Sequence, residues 1–288
     1  MPTAFGGASA FASLTPLDLE CETLPVSEGI YLPITDDREI NALVDELPIA
    51  VNREHFVGFV RGFPRSYLVN TPRVELVKHY LLRESLGDKK VISSLYRQQG
   101  PWKLDLITRD RRRLFSNITG TLSCFGMNIT SAMAFSNDNL VVLDTFVFLD
   151  PHDHLGESKA RESFQHLVEE VVEGTTEIQQ LLAEHWSDVP FAEYKPFEVD
   201  ADNVSHPRMT RLSLNCRDHV GLAYLLSDCI GSQGFSIEMA YIETEGAFSR
   251  QQYYICSDGN KLEPEQLEEL RVKLFHLGEH LALEPDQY

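Results

Sequence analysis

The sequence predicts an α+β fold, two tandem βαββαβ units behind a helical amino-terminal segment, and three observations carry that prediction. The chain repeats itself. Arg109 to Leu114 aligns with Arg217 to Leu222 at a separation of 108 residues, which also carries Gly126 onto Gly234, Ile129 onto Ile237, Ala132 onto Ala240 and, without a gap, Asp150 onto Asp258. Within each copy the apolar residues switch between period-two and helical spacing in the same order. Each copy also places a glycine at the same junction, between a helical stripe and the next extended segment.

Residues 1–35, rich in Ala, Ser and Gly, are expected to be a flexible terminus. Residues 36–100 are expected to form helices that pack on the repeats, with Thr71-Pro72 opening the clearest one. The first unit is assigned to residues 101–204 and the second to 205–288. They open with Trp102-Lys103-Leu104-Asp105-Leu106 and Arg211-Leu212-Ser213-Leu214, alternations expected of strands with one buried face. Leu114, Ile118, Leu122 and Phe125 then trace a helical stripe, as do Leu222, Leu225, Leu226, Cys229 and Ile230. Gly126 and Gly234 suit the left-handed residue that ends a helix. Two hairpins follow, residues 128–135 with 140–149 and residues 236–244 with 248–256, turning at Asn137-Asp138-Asn139 and Glu245-Gly246. Second helices carry Phe164, Leu167, Val168, Val171 and Val172 in one copy and Leu267, Leu270 and Leu274 in the other, the latter behind Pro264.

A further helical stretch with Ile178, Leu181 and Leu182 leads to residues 195–200, the expected fourth strand of the first unit; that of the second is either very short or supplied from elsewhere. The right-handed crossover rule turns this order into two ferredoxin-like layers of helices on a mostly antiparallel sheet.

Composition narrows the function. With 44 acidic against 25 basic side chains in 288 residues, the formal charge of -19 disfavours nucleic acid and anionic membranes as partners. Five widely spaced cysteines form no C-x-x-C, so neither a disulfide framework nor a zinc site is signalled, and no cofactor is predicted. No basic residue precedes Arg38, and the apolar run 140–149 is interrupted by Asp144; a cytoplasmic protein is expected.

The segments Leu106-Ile107-Thr108-Arg109-Asp110-Arg111-Arg112-Arg113-Leu114-Phe115, Gly126-Met127-Asn128-Ile129 and Leu143-Asp144-Thr145-Phe146-Val147 resemble the ACT domain family. As a tandem pair they are most similar to the carboxy-terminal regulatory region of the bacterial PII uridylyltransferases. Phe63-Pro64-Arg65-Ser66-Tyr67-Leu68, followed by Val74, Val77, His79 and Leu81, is similar to the segment that precedes the first ACT domain there, so the likeness runs over residues 55–280. It implies regulatory modules that bind a small amino acid, glutamine first because that family responds to nitrogen status.

The family's catalytic parts are not matched. Gly6-Gly7 with Asp18-Leu19-Glu20 mimics a nucleotidyltransferase turn and carboxylate pair, but five preceding residues cannot build the supporting element. His152-Asp153 is the sole His-Asp pair and sits in a turn with Pro151 and His154. No enzyme is therefore expected; a protein-interaction scaffold and a residual uridylyltransferase-type activity are the alternatives.

The resemblance places the ligand between two modules, against the loop that joins first strand to first helix and against the second strand. In the second copy those positions are Asp218, His219, Val220, Gly221 and Leu222 with Ser236 and Ile237; in the first they are Asp110, Arg113 and Leu114 with Asn128 and Ile129. A helix start offers unpaired N–H groups to a carboxylate, and Gly221 would let a ligand approach the backbone. Asp110 and Asp218 are expected first as helix caps, with ligand contact as the other reading and the two compatible. Arg113, standing where the second copy has Gly221, either fills the pocket or offers a forked cation to a carboxylate. The run Arg109 to Arg113 is either a solvated loop or a dock for an acidic partner. Asn128 and Ser236 face a pocket or simply solvent. Expected partners are thus an amino acid and, after it, another protein or a second copy of the chain.

Overall fold

The computed structural model describes residues 34, 37–47, 51–97, 100–109, 113–137, 141–185 and 198–277. Four helices, α1 (Asp37–Glu46), α2 (Arg53–Arg61), α3 (Arg65–Asn70) and α4 (Arg73–Leu86), lead into strand β1 (Val91–Arg97). The first repeat continues with β2 (Trp102–Arg109), α5 (Leu114–Cys124), β3 (Asn128–Ser136), β4 (Val141–Leu149), α6 (Ser158–Glu173) and α7 (Ile178–His185). The second comprises β5 (Glu198–Asp202), β6 (Thr210–Arg217), α8 (Leu222–Ser232), β7 (Ser236–Glu245), β8 (Phe248–Cys256) and α9 (Pro264–Phe275).

The eight strands of the described residues form one antiparallel sheet in the order β1-β2-β4-β3-β7-β8-β6-β5, a palindrome about the β3–β7 pair. The two ferredoxin-like units therefore share a sheet. Met133 pairs with Tyr241, its own repeat mate 108 residues on, and Thr119 Oγ1 meets Ser227 Oγ, also repeat mates, at 3.4 Å where α5 packs on α8. These pairs mark a local two-fold axis. Each inner strand also carries a register shift at the same place, between Ile129 and Ser131 and between Ile237 and Met239.

Two expectations are corrected. Residues 198–202 do not complete the first unit: β5 pairs with β6, while the strand beside β2 is β1, from the region expected to be helical. Each outer strand thus precedes its unit, and since β1 already occupies the edge of β2, the segment after α7 can only pair with β6. The ungapped alignment also ends at the hairpin turn. Phe148 and Ile255 occupy equivalent ladder positions opposite Ile129 and Ile237, a separation of 107 residues, so the second hairpin is one residue shorter and Asp150 does not match Asp258.

One face of the sheet packs on α5 to α9 around Leu104, Leu106, Ile118, Leu122, Phe146, Leu212, Leu226, Ile230 and Tyr253. The opposite face of the first half is covered by α1 to α4 through Phe56, Tyr67, Leu76 and Tyr80 against Ile92, Ile107, Phe135 and Leu143. Hence β2 is buried on both faces along nearly its whole length, not on one as its alternation predicts, whereas β6 alternates.

Lys103 and Asp105 are consequently inside, 6% and 2% exposed, where α4 meets β2. The Lys103 ammonium bonds the Glu75 carboxylate and lies 3.7 Å from Asp105; Tyr96 Oη donates to both acids at 3.1 and 2.9 Å, and Thr145 donates to Asp105 at 2.8 Å. His79 Nε2 stands 3.4 Å from Asp105 and its Nδ1 2.9 Å from Tyr67 Oη. Glu75, His79 and Asp105 bring three metal-ligand atoms within 4.8 Å of one another, but Lys103 between the two carboxylates and Lys78, 3.1 Å from Glu75, already supply two cations.

Helix α6 seals the β1 edge, because Glu169 accepts from Ser93 N and Oγ at 3.0 and 2.7 Å and Gln165 donates to Ser93 O at 2.7 Å. Burial raises the thiols of Cys124 and Cys216 to about 12 and those of Cys229 and Cys256 to about 11, which leaves them unreactive. Among the described residues no helix is long and apolar enough to cross a membrane.

Close packing at the seam depends on Gly120, where a Cβ would lie 2.9 Å from both Ile178 Cγ1 and Tyr224 Cδ2. Gly120→Val is expected to cost about 1–3 kcal/mol in urea unfolding; an unchanged midpoint and slope would show that α7 and Tyr224 of α8 are not seated against α5.

Candidate functional site

The local two-fold axis creates two equivalent positions, each made from the helix-start loop of one repeat and the second strand of the other. They are not alike. At the first, the start of α5 faces the start of β7 across a cavity of about 220 Å³ lined by Arg113, Leu114, Ser116, Ser227, Gly231, Ser236 and Ile237, with Asp144 of β4 also in the wall. At the second, Asp218, His219, Gly221 and Leu222 face Met127, Asn128 and Ile129, and only about 10 Å³ remains between them. That is room for one water at most.

The closure has a visible cause. Asp218 accepts from Asn128 Nδ2 at 2.9 Å and from Thr244 Oγ1 at 3.3 Å, while its backbone N–H donates to Ala247 at 3.0 Å. Its carboxylate clasps one repeat to the other. Asp218 does not cap α8: the residue at the cap is Gly221, left-handed at φ 89°, with no side-chain bond. Asp218 lies four residues before the first helical residue, too far back for capping, and its oxygens are already taken. Asn128 is therefore engaged rather than turned to solvent. His219 offers its backbone oxygen to Leu222 N at 3.1 Å, and Val220 is half-buried beside it.

Arg113 occupies the same left-handed cap at φ 61°, a conformation that favours the glycine its repeat mate has. Its carbonyl accepts from Asn117 N at 2.9 Å and Ser116 Oγ at 3.0 Å, which anchors the first turn. The side chain runs along Gly231, whose position in α8 leaves space for the Arg113 Cγ, and its guanidinium pairs with Asp228. Directed outward to α8, it lines the cavity without filling it. Leu114 is buried beneath, Ser236 is exposed at the rim and Ile237 is half-buried. Asp110, with Arg111 and Arg112, lies outside the described residues, as do the Gly6-Gly7 and Asp18 to Glu20 motifs.

Ser116, Ser227 and Asp228 were not singled out by the sequence, and Asp144 was named there as a break in an apolar run and not as a site residue. Asp144 alone leaves a signal, as the only charge in the strand Val141–Leu149. The His152 and His154 rings stand 5.7 Å apart in an exposed turn, where Asp150 instead accepts from the His154 and Leu155 amides.

The chain is thus a tandem pair of ferredoxin-like units fused through one sheet, with helix-start loops at the seam. The chain is similar to bifunctional uridylyltransferase/uridylyl-removing enzymes. It is 29% identical over 170 residues to that of Gluconobacter oxydans, covering 55% of this chain and 17% of the relative. It is 26% identical over 247 residues to that of Rhodopseudomonas palustris (81% and 26%) and 24% over 212 residues to that of Vibrio vulnificus (71% and 24%). The chain thus matches between 17% and 26% of the length of these relatives. No protein-family model matches the sequence. Among solved structures, an aspartate kinase from Synechocystis aligns with a TM-score of 0.30 at 14% identity, over 56% of this chain and 25% of that one.

Proposed function

We propose that the chain is a non-catalytic regulatory module that binds one amino acid in the cavity beside Arg113 and relays occupancy through the packing of α5 on α8. The observation that carries this reading is the cavity itself, walled by both repeats at a helix start. A cavity of this size suits a small molecule, and the unpaired N–H groups of the first turn favour a carboxylate. Because α5 and α8 both contribute walls, a ligand that prefers one packing of this pair biases the other repeat.

Glutamine is the first candidate, and the similarity to uridylyltransferase/uridylyl-removing enzymes supports a place in nitrogen metabolism. The net charge of -19 supports neither nucleic acid nor an anionic membrane as partner, widely spaced cysteines without a C-x-x-C support a cytoplasmic setting, and a protein target or a second copy of the chain would receive the signal. Calorimetry with glutamine and the other common amino acids tests the reading. One site per chain is expected for at least one of them. A flat titration across the whole set would contradict it, as would transfer from labelled UTP to PII protein by the purified chain with magnesium.

A further inference from the structure

The ion pair at the open cavity has no counterpart at its closed twin. Arg113 stands 108 residues before Gly221, and Asp228 stands 108 residues after Gly120, so both members of the pair are glycine at the equivalent position. The open site holds this charge pair, and the closed one holds the Asn128–Asp218 clasp. Arg113 and Asp228 are partly exposed, with side chains at 35% and 28%, and the guanidinium borders the cavity that a carboxylate would enter. Asp228 also faces the groove between α8 and α9 on its other side, with Gln233 and Lys273.

We propose that Asp228 is a resident competitor for the ligand carboxylate, so that binding moves the Arg113 guanidinium from Asp228 to the ligand and frees α8 from the start of α5. This rests on the cavity being the ligand site, and it specifies the ligand class: a free carboxylate is required. A competitor lowers apparent affinity by the fraction of time it holds the cation. Asp228→Asn therefore tightens binding of the best amino acid roughly three- to tenfold. Arg113→Gln weakens it by about tenfold or more, and in that background Asp228→Asn has no further effect. The carboxamide analogue of the same amino acid binds weakly, and equally so with and without Asp228.

Calorimetry on the four full-length proteins reads these values, with thermal melting to confirm folding; if Asn at 228 prevents folding, Asp228→Ala takes its place. Binding to Asp228→Asn but not to the original chain supports the inference strongly. Equal or weaker binding to Asp228→Asn overturns it while leaving the site itself intact. Absence of binding to every variant overturns both the inference and the site.

Discussion

Lys103→Met is expected to destabilise the chain by about 3–5 kcal/mol in chemical denaturation, the cost of leaving buried Asp105 without an ammonium and Glu75 with Lys78 alone. The side chains of Glu75 and Asp105 are 8% and 3% exposed, and Tyr96 and Thr145 supply only neutral donors. Burial opposes both carboxylates, yet Lys103, helped by Lys78 at Glu75 and by His79, outweighs it and holds both below their ordinary range. Burial likewise opposes the ammonium, but Asp105 and Glu75 raise it.

The pH dependence follows from those directions. Carboxylates that titrate lower in the folded chain contribute stability that is complete above their unfolded range near pH 4 and is lost as pH falls from there through their lower folded values. Lys103, raised, contributes below its unfolded pKa near 10.5 and loses that contribution at higher pH. Burial also raises Tyr67 and Tyr96, so ionisation above pH 10 favours the unfolded chain as well. Lys103→Met removes the largest charge that lowers both carboxylates, so the variant is expected to lose less stability than the original chain as pH falls below 4. Parallel profiles for the two proteins would show that the network is not held by Lys103.

Ser236→Phe is expected to abolish amino-acid binding. Ser236 stands at the rim of the 220 Å³ cavity, and an aromatic ring there would occupy much of the space a ligand needs. The exposed position means the substitution adds no strain to the core, so folding should be unaffected. Its repeat mate Asn128 gives the control. Asn128→Ala opens the Asp218 clasp, costing about 1 kcal/mol of stability, but leaves the ligand at the Arg113 cavity. If Ser236→Phe binds as tightly as the original chain while Asn128→Ala does not bind, the two sites have been assigned the wrong way round.

The repeat was legible because its signals are local. Period-two and helical spacing, Pro264 at a helix start and glycine after a helix each depend on a few neighbouring residues, and their recurrence fixed the common topology of the two copies. The outer strands were not, because whether 91–97 or 198–202 completes a unit depends on which edge is already filled, a question of long-range pairing. Lys103 and Asp105 read as an ordinary polar face, since nothing near them in the sequence announces that α4 brings Glu75 and His79 to meet them. At the candidate site, the sequence named the loops and strands that meet at the seam but could not rank the copies. Gly221 looks the more permissive residue, yet the space it would leave is closed by Asp218, whereas Arg113 keeps its own site open by reaching for Asp228 on a helix 115 residues away.

A crystal structure of the chain soaked with its tightest-binding amino acid tests the central claim most directly. The account predicts one ligand per chain between Arg113 and Ser236, with its carboxylate on the guanidinium. A ligand seated instead against Gly221 and Asn128, or one at each of the two positions, would contradict it.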